Sequence, residues 1–415
     1  MSLDDQVVAP DASPGEHTAR PHILLIGGKD SAFASISELD VDVTLVQSRQ
    51  NLSPRQTERS RQLIVLDALP LDVVRSLARS LHREWPLDAA LSFYEECLVA
   101  ASRVGEDLGI RCNPLRPVER TRDKLAMREL IDASPVRSPR YTRCQTIEDV
   151  QCLLRRVNGP VILKPASGSG SRGVCLIESS SQIGPAWQRC LASGPLPAIA
   201  EEYVEGREFS VETITRDGRH QVLGITEKLT TGPPGFVELG HQFPARLPTA
   251  IAQRIDEAVV ALLDLVEHRW GPAHTEVRVT PEVEVVVIES QTRFGGDQIW
   301  EMVEVVTGVP LGAATAAGLL GMAEPAKPAR VGGAAIRFLG YENALVHEVA
   351  GVEEAREAAG VERVEIRARP GQRLGPLRDS WSRQGYILAT GADTEEAARN
   401  VDAARGLLRV SLTPL

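Results

Sequence analysis

The 415-residue sequence contains little of several residue types that would commit it to a particular class of protein. Lysine occurs only five times although lysine and arginine together number 46, and the formal net charge is −10. Because nucleic acids and anionic membranes attract basic surfaces, this balance predicts neither as a partner. Any anionic ligand would have to be held by a few cations placed locally, so a lysine in a motif is informative.

Long apolar runs and patterned cysteines are also lacking. No apolar run approaches the roughly 18 residues of a membrane span. The six cysteines form no CxxC pair and have no histidines at metal-binding spacing: Cys97, Cys112, Cys144, Cys152, Cys175 and Cys190. They predict buried, reduced thiols in a cytoplasmic protein. Residues 1–20 lack the basic and apolar regions of a signal peptide and are predicted to form a disordered leader.

The full sequence is apolar enough, at 43%, to form two or three compact units. Over residues 21–118, short apolar runs alternate with helix-length segments, which predicts a Rossmann-like unit with a parallel sheet. One continuous helix, ERTRDKLAMRELIDA, is predicted to lead from it into a mixed α+β unit, residues 119–325, divided near residue 205. A Pro/Ala/Gly linker then precedes a smaller closing lobe, residues 326–415.

The segment GSGSRG, residues 168–173, matches GxGxxG, but an apolar strand follows it where a dinucleotide fingerprint requires a helix. With Lys164 on the preceding strand, a glycine-rich loop between two strands fits a flap that folds over a triphosphate. An ordinary flexible hairpin is the alternative. Protein kinases are excluded because the HRD and DFG sequences are absent.

The segment AEEYVEGREFSVE, residues 200–212, carries five glutamates at a strand end. It fits either a solvated edge or a hinge. As a hinge, it would offer backbone groups of Glu202 and Val204 to an adenine and the Glu208 carboxylate to ribose hydroxyls.

Two further glutamates, Glu276 in HTEV and Glu289 in VVVIES, lie on adjacent predicted strands joined by a short turn. The spacing brings both carboxylates to one face, where Mg²⁺ between them would relieve their repulsion. Gln291 could add an amide oxygen as a further metal ligand. The Arg293 guanidinium could donate a bidentate pair of hydrogen bonds to phosphoryl oxygens. A surface hairpin with charged tips is the alternative, but the following glycine pair favours close approach to a ligand.

The order of these motifs along the chain, together with IESQTRFGG and FVELGHQFP, resembles the ATP-grasp superfamily and its amino acid ligase (dipeptide synthase-like) branch. The resemblance extends from residue 21 to 415. It implies an ATP-grasp fold of the α/β and α+β class, with a Rossmann-like N-terminal domain and a C-terminal lobe that completes the core.

The resemblance also implies a role for individual residues. ATP would be bound by Lys124, Lys164, Gly168, Ser169, Gly170, Ser171, Gly173, Glu201, Glu202, Tyr203, Val204 and Glu208. Metal would be bound by Glu276, Glu289 and Gln291, although many relatives have asparagine at the position of Gln291. Catalytic roles would fall to Arg293, Glu238 and His241, and substrate contacts to Lys228, Gly295, Gly296 and Asp297. Asp297 is also placed to act as a helix N-cap. If it instead faces the substrate pocket, its charge and that of Glu238 favour small or amine-bearing amino acids.

The implied reaction is ATP-dependent formation of an amide bond through an acyl phosphate, with ATP and Mg²⁺ (Mn²⁺ as an alternative) and with small amino acid substrates. Whether the product is a dipeptide or a natural-product amide stays open, as does a homodimer. Two other classes are considered. One is a biotin carboxylase-like or purine-pathway carboxylase that forms carboxyphosphate, and the other is a non-catalytic nucleotide-binding regulator.

Overall fold

The computed structural model describes residues 20–168, 170–325 and 327–415, so all but the last residue of the predicted leader lies outside it. The chain begins with a four-stranded parallel sheet in the order β3-β2-β1-β4. Its elements are β1 (His22–Ile26), α1 (Asp30–Ile36), β2 (Asp42–Ser48), α2 (Pro54–Arg59), β3 (Gln62–Leu66), α3 (Leu71–Glu84), β4 (Ala89–Leu91) and α4 (Leu98–Leu108). Strand β1 is fully buried because helices cover both faces of the sheet. The Rossmann-like prediction is confirmed.

The single bridging helix predicted from the sequence is wrong. The structure has two helices, α5 (Leu115–Arg122) and α6 (Lys124–Ile131), separated at Asp123. Asp123 has φ −97° and ψ 107°, and its carboxylate accepts hydrogen bonds from the N–H groups of Leu125 and Ala126. Asp123 is therefore the N-cap of α6. The break directs the chain so that Lys124, the first residue of α6, is buried.

The second sheet is antiparallel with strand order β5-β8-β6-β7. It is built from β5 (Tyr141–Cys144), α7 (Ile147–Val157), β6 (Val161–Pro165), β7 (Cys175–Ile177), α8 (Ile183–Leu191) and β8 (Ala198–Glu202). Helices α7 and α8 pack against one face and form a separate small core. The glycine-rich segment connects the paired strands β6 and β7, as predicted.

The third sheet has eight antiparallel strands in the order β13-β12-β9-β10-β11-β14-β18-β16. Its first part contains β9 (Arg207–Arg216), β10 (Arg219–Thr230), β11 (Glu238–Phe243), α9 (Thr249–Leu265), β12 (Trp270–Val279), β13 (Val285–Gln291), α10 (Ile299–Thr307) and α11 (Leu311–Leu320). Helix α9 covers β9, β12 and β13, and Leu262 and Leu263 pack with Phe209, Val277 and Val287 in a fully buried cluster.

The C-terminal segment extends this same sheet. It contains β14 (Gly333–Phe338), β15 (Ala344–Ala350), α12 (Val352–Arg356), β16 (Val361–Ile366), β17 (Arg373–Leu374), β18 (Gly385–Gly391), α13 (Thr394–Leu407) and β19 (Arg409–Pro414). Strand β14 pairs with β11, while β15, β17 and β19 form a small sheet of their own. A C-terminal lobe that completes the core is therefore confirmed, whereas the exact domain boundaries stay predictions.

Two further expectations concern the burial of the cysteines and the lack of a membrane span. All six cysteines are free, but only Cys97, Cys144, Cys175 and Cys190 are buried; Cys112 is half-buried and Cys152 is exposed, which corrects the expectation that all six are buried. Within the described ranges, no single helix is long and apolar enough to cross a membrane. Helices α10 and α11 meet that test only when taken together, and they are bent by 75°.

Candidate functional site

A cavity of about 160 Å³, partly open to solvent, lies between the second and third sheets. Most of the residues expected to bind a nucleotide form its wall. The expected residues that line it are Lys124, Lys164, Gly168, Gly170, Ser171, Glu201, Glu202, Tyr203, Val204, Glu208, Lys228, Glu238, Glu276 and Glu289. Gly173, His241, Gln291, Arg293, Gly295, Gly296 and Asp297 do not form part of this wall, and Ser169 lies outside the described residues.

Two buried lysines lie beneath the glycine-rich loop. Lys124 places its Nζ 3.0 Å from Glu289 Oε2 and 3.2 Å from the carbonyl oxygen of Gly168. Lys164 places its Nζ 2.6 Å from Glu201 Oε2. Burial lowers the pKa of Lys164, although the Glu201 carboxylate opposes this shift. The two ammonium groups are the local cations that an acidic protein needs to hold an anion.

Glu201 has a structural partner besides Lys164. Arg128, which is fully buried, lies 2.8 Å from Glu201 Oε1 and donates to the carbonyl of Ile288 at 2.6 Å. The family resemblance implies a place for Glu201 in the nucleoside pocket, whereas no sequence motif pointed to Arg128. In the structure Glu201 holds two buried cations in place, so only its position on the cavity wall agrees with the expected role.

The predicted pair of carboxylates is observed. Glu276 on β12 and Glu289 on β13 are directly opposite each other in the antiparallel register, so both project from one face of the sheet. Gln291 donates its amide N–H to Glu289, and its amide oxygen is buried with no hydrogen-bond partner among the described residues. Two carboxylates and an unpaired amide oxygen are the hard oxygen donors that suit Mg²⁺. No group of three or more His, Cys, Asp or Glu side chains in the described ranges forms a metal cluster by itself.

Lys228 on β10 connects three of the expected site carboxylates. Its Nζ lies 2.7 Å from Glu208, 2.6 Å from Glu276 and 3.7 Å from Glu238. Burial alone would lower the pKa of Lys228, but these carboxylates raise it well above its usual value. Lys228 was expected to contact substrate, and the structure places it where the expected nucleoside, metal and substrate positions meet.

A buried histidine, His274, also lies close to the Glu276 carboxylate. His274 Nδ1 lies 2.6 Å from Glu212 Oε1, and its Nε2 lies 3.5 Å from Glu276 Oε1. Burial would lower the pKa of His274, but the two carboxylates raise it to about 9. Gly295 packs closely on this pair, since a Cβ there would lie 2.9 Å from His274 Nδ1 and 3.0 Å from Glu212 Oε2. Glycine is therefore needed at position 295 to fit these side chains, and its contact with substrate stays a prediction. A Cβ at Gly296 would meet no atom within 4 Å.

The hinge between β8 and β9 borders the cavity through Tyr203 and Val204. Gly206 allows the chain to pass β12, since a Cβ there would lie 2.2 Å from the carbonyl oxygen of Val279 and its φ is +145°. Arg278, which the sequence analysis did not identify, donates to Glu208 at 2.7 Å and to the Val204 carbonyl at 2.8 Å. The hinge is therefore part of an ordered wall, which argues against a solvated edge.

Arg293 points toward the N-terminal unit. Its Nε lies 2.8 Å from Glu95, which follows β4, and its Nη1 donates to the Phe294 carbonyl at 2.6 Å. Arg122 binds the other oxygen of Glu95 at 3.1 Å, and Phe93 stacks on Phe294 with ring centroids 4.3 Å apart. The segment after β13 is thus fixed to the N-terminal sheet, and Arg293 is not brought to the cavity wall.

Glu238, His241 and Asp297 meet next to the C-terminal segment. Ser380 donates to Glu238 at 2.6 Å, and Arg383 binds both oxygens of Asp297 at 2.6 and 2.9 Å. Both ring nitrogens of His241 are buried without a hydrogen bond to any described residue, with Nε2 4.0 Å from Asp297. A buried histidine with both nitrogens unpaired is able to bind a ligand.

The N-cap alternative for Asp297 is wrong. Helix α10 begins at Ile299 after Gln298, and Asp297 and Gln298 both have positive φ, of 52° and 62°. Burial would raise the pKa of Asp297, but the nearby His241 ring and the hydrogen bonds from Arg383 lower it below its usual range. The Asp297 charge is therefore largely compensated by Arg383.

Two regions of the chain match models of known protein families. Residues 157–301 match the model of the ATP-grasp domain, and residues 337–413 match that of L-amino acid ligase C-terminal domain 2. The protein y4rH of Sinorhizobium fredii is 27% identical over 84% of this chain and 72% of its own length. Alanine–anticapsin ligase of Bacillus subtilis is 28% identical over 52% of this chain, and the match spans only 50% of that ligase.

A solved structure shares the fold over nearly the whole chain. The L-amino acid ligase from Bacillus licheniformis superimposes with a TM-score of 0.81 at 22% identity, covering 95% of this chain and 99% of that one. The predicted fold class is therefore confirmed.

Proposed function

The chain belongs to the ATP-grasp superfamily, in its L-amino acid ligase branch, and from this premise we propose that it is an ATP-dependent carboxylate–amine ligase. It would form an amide bond between amino acids or amino acid-like substrates and release ADP and phosphate. The observation that carries the proposal is the single cavity that combines two buried lysines, a glycine-rich loop and the opposed Glu276 and Glu289.

The residues of the cavity fit the parts of ATP. Lys124 and Lys164 lie beneath the glycine-rich loop, where their charges would hold phosphate oxygens. Glu208 lies near the hinge, where it would accept hydrogen bonds from ribose hydroxyls. On binding, the phosphates would compete with Glu289 and Glu201 for the two lysines.

Glu276, Glu289 and the unpaired Gln291 oxygen would hold Mg²⁺. When bound, the metal offsets negative charge on the phosphates so that a carboxylate can approach them. In the structure Lys228 lies against Glu276 and Lys124 lies against Glu289, each within ion-pair distance.

The proposed chemistry has two steps. A carboxylate oxygen of the first substrate attacks the γ-phosphorus of ATP, and the bond to the β,γ-bridging oxygen breaks to give an acyl phosphate and ADP. The amine of the second substrate then attacks the acyl carbon, phosphate leaves, and the amine loses a proton as the amide forms. Arg293 would stabilise the oxyanion of the second step, which requires it to turn from Glu95 toward the cavity. The glycine-rich loop would exclude water that would hydrolyse the acyl phosphate.

We also propose a cytoplasmic location, small-molecule substrates and a homodimer for this protein. Six free cysteines support a reducing, cytoplasmic environment. Small-molecule substrates suit a cavity lined by charged groups. A homodimer would be tested by light scattering of the purified chain.

The test is phosphate release over pairs of amino acids with Mg²⁺ and ATP, with the products identified by mass. The expected result is release that requires both amino acids, and a product whose mass is their sum less one water. Release that depends on bicarbonate would favour the carboxylase alternative. ATP binding without turnover under any pair would favour a non-catalytic regulator.

A further inference from the structure

Trp381 in the C-terminal segment is the most exposed of the large apolar side chains in the described ranges. It is 71% exposed, whereas the other four tryptophans of the chain are buried or half-buried. An indole has a large apolar surface and one N–H donor, and both are open to contacts at this position. The element that it contacts is the glycine-rich loop.

The indole lies against the tip of that loop. A Cβ at Gly170 would lie 3.2 Å from Trp381 Nε1 and 3.9 Å from its Cδ1. Gly170 is part of the cavity wall and Trp381 is not, so the indole contacts the loop from outside the cavity. The next loop residue, Ser171, donates to the Phe236 carbonyl at 3.5 Å. The tip is therefore held at two points away from its own sheet.

The turn that carries the indole is fixed by its own hydrogen bonds. The Asp379 carboxylate accepts from the N–H groups of Trp381 and Ser382 at 3.0 and 2.9 Å, and Ser382 Oγ accepts from the Asp379 N–H at 3.1 Å. This reciprocal capping holds residues 379–382 in one conformation. The indole is thus presented by an ordered turn although it is itself exposed.

The same turn reaches the expected substrate side of the cavity. Ser380, directly before Trp381, donates to Glu238 at 2.6 Å, and Glu238 is part of the cavity wall. Arg383, two residues after Trp381, binds both oxygens of Asp297. One short segment therefore contacts both the loop expected to cover the phosphates and two residues expected to lie near the substrates.

Given the proposed ligase reaction, on which this inference rests, we infer that Trp381 is a positioning residue that holds the glycine-rich loop over the cavity. Its effect is on the fate of the acyl phosphate. Where water enters, its oxygen attacks the acyl carbon in place of the amine, phosphate leaves, and the water loses a proton to give back the free carboxylate. Each such event consumes one ATP and forms no amide, so a loop held in place favours the amide.

Two variants test the contact. Trp381→Ala removes the indole, and Trp381→Phe keeps an aromatic ring but lacks the five-membered ring whose Nε1 and Cδ1 lie near Gly170. Leu407→Ala is the matched control, because Leu407 is another exposed apolar side chain of the C-terminal segment, at the end of α13 and outside the cavity wall. Since Trp381 is exposed, its loss should leave the fold intact, and thermal unfolding would establish this.

The first measurement is limited trypsin digestion of the full chain without nucleotide, with the fragments identified by mass. Arg172 is an exposed residue of the loop, so the rate of cleavage after it reports how often the loop leaves its position. Trp381→Ala should be cleaved there about fivefold faster than the wild type, Trp381→Phe by a smaller factor, and Leu407→Ala at the wild-type rate. An unchanged rate in Trp381→Ala would overturn the inference that the indole holds the loop.

The second measurement is the ratio of phosphate released to amide formed, with a pair of amino acids that the wild type joins. The two products should be equimolar for the wild type and Leu407→Ala, and the ratio should rise at least about twofold for Trp381→Ala. A slower reaction with an unchanged ratio is what a merely structural role would give, and it would overturn the role in excluding water. A wild type that joins no pair would contradict the proposed ligase activity, and the trypsin result would still decide whether Trp381 holds the loop.

Discussion

Arg383 of the C-terminal segment binds both carboxylate oxygens of Asp297, 86 residues earlier in the chain. The Arg383 guanidinium also lies 3.8 Å from the centre of the Phe338 ring and donates to the carbonyls of Ser380 and Glu238. The charge of Asp297, together with that of Glu238, was expected to favour small or amine-bearing amino acids. Because Arg383 supplies the opposite charge, that basis for the preference is removed, and a preference for small substrates remains a prediction.

This ion pair gives the first prediction. Arg383→Leu leaves Asp297 without its partner, so the ratio of kcat/KM for lysine over alanine as the carboxylate substrate should rise. The change should also lower the free energy of unfolding by about 3–5 kcal/mol, because it leaves a largely buried charge unpaired. Combining it with Asp297→Asn should return the ratio to the wild-type value. A single variant with the wild-type ratio would show that Asp297 does not face the substrate.

The opposed carboxylates give the second prediction. Glu276→Gln and Glu289→Gln should each reduce Mg²⁺-dependent phosphate release about 100-fold or more, since an amide does not neutralise the metal charge. Glu284→Gln is the control because Glu284 lies just before β13 and pairs with Arg137 at 3.1 Å, outside the cavity. The measurement is phosphate release as a function of Mg²⁺ concentration, and near-normal Mg²⁺ dependence in both site variants would disprove the metal assignment.

The third prediction concerns Lys164. Lys164→Met should raise the dissociation constant for ATP about tenfold, because a charge-assisted contact to phosphate is lost. Glu201 would still be paired with Arg128, so the fold should be retained. Lys327→Met is the matched control, since Lys327 is exposed and pairs with Glu38 at 2.6 Å. Equal ATP affinity of wild type and Lys164→Met by calorimetry would remove Lys164 from the site.

The fourth prediction concerns pH and Glu304 on α10. Burial raises the pKa of Glu304 to about 7, and its Oε1 accepts from the Leu311 N–H at 2.8 Å. The folded state holds the carboxyl proton of Glu304 more tightly than the unfolded chain does. The contribution of Glu304 to the free energy of unfolding therefore falls as pH rises from about 4.5 to 7. The loss is at most about 1.4 kcal/mol per pH unit over that window.

Glu304→Gln keeps the hydrogen bond to Leu311 and does not titrate. Its free energy of unfolding relative to the wild type should therefore increase between pH 5 and pH 7.5, measured by urea denaturation. A difference between the two proteins that does not change with pH would show that Glu304 has an ordinary pKa in the folded state.

The local pattern of the sequence predicts much of the fold and part of the site. Alternating apolar residues around a short turn correctly predict the hairpin of β12 and β13 and hence the facing of Glu276 and Glu289. The residue type of Asp123 also indicates an N-cap, since aspartate is a preferred cap residue. The helical pattern on both sides of Asp123 nevertheless favoured the prediction of one continuous helix.

The partners of the charged residues could not be predicted in this way. Arg278 and Glu208 are 70 residues apart, and Arg293 and Glu95 are 198 apart. Such pairs depend on how the three sheets pack, and nothing in local periodicity selects one glutamate over another. Consequently Lys124 and Lys164 of the cavity wall were identified from the sequence, whereas Arg278, Arg383 and Glu95 were found only in the structure.

The pairing of β11 with β14 has a consequence for how this chain can be divided. Four backbone positions, from Gly240↔Arg337 to Phe243↔Ala334, join the segment before α9 to the segment after the linker. Cutting the chain at the linker would leave β11 with an open edge, and an unpaired edge strand promotes aggregation. The segment from β14 to the C-terminus is therefore not a detachable module, and its exchange between relatives would have to include β11.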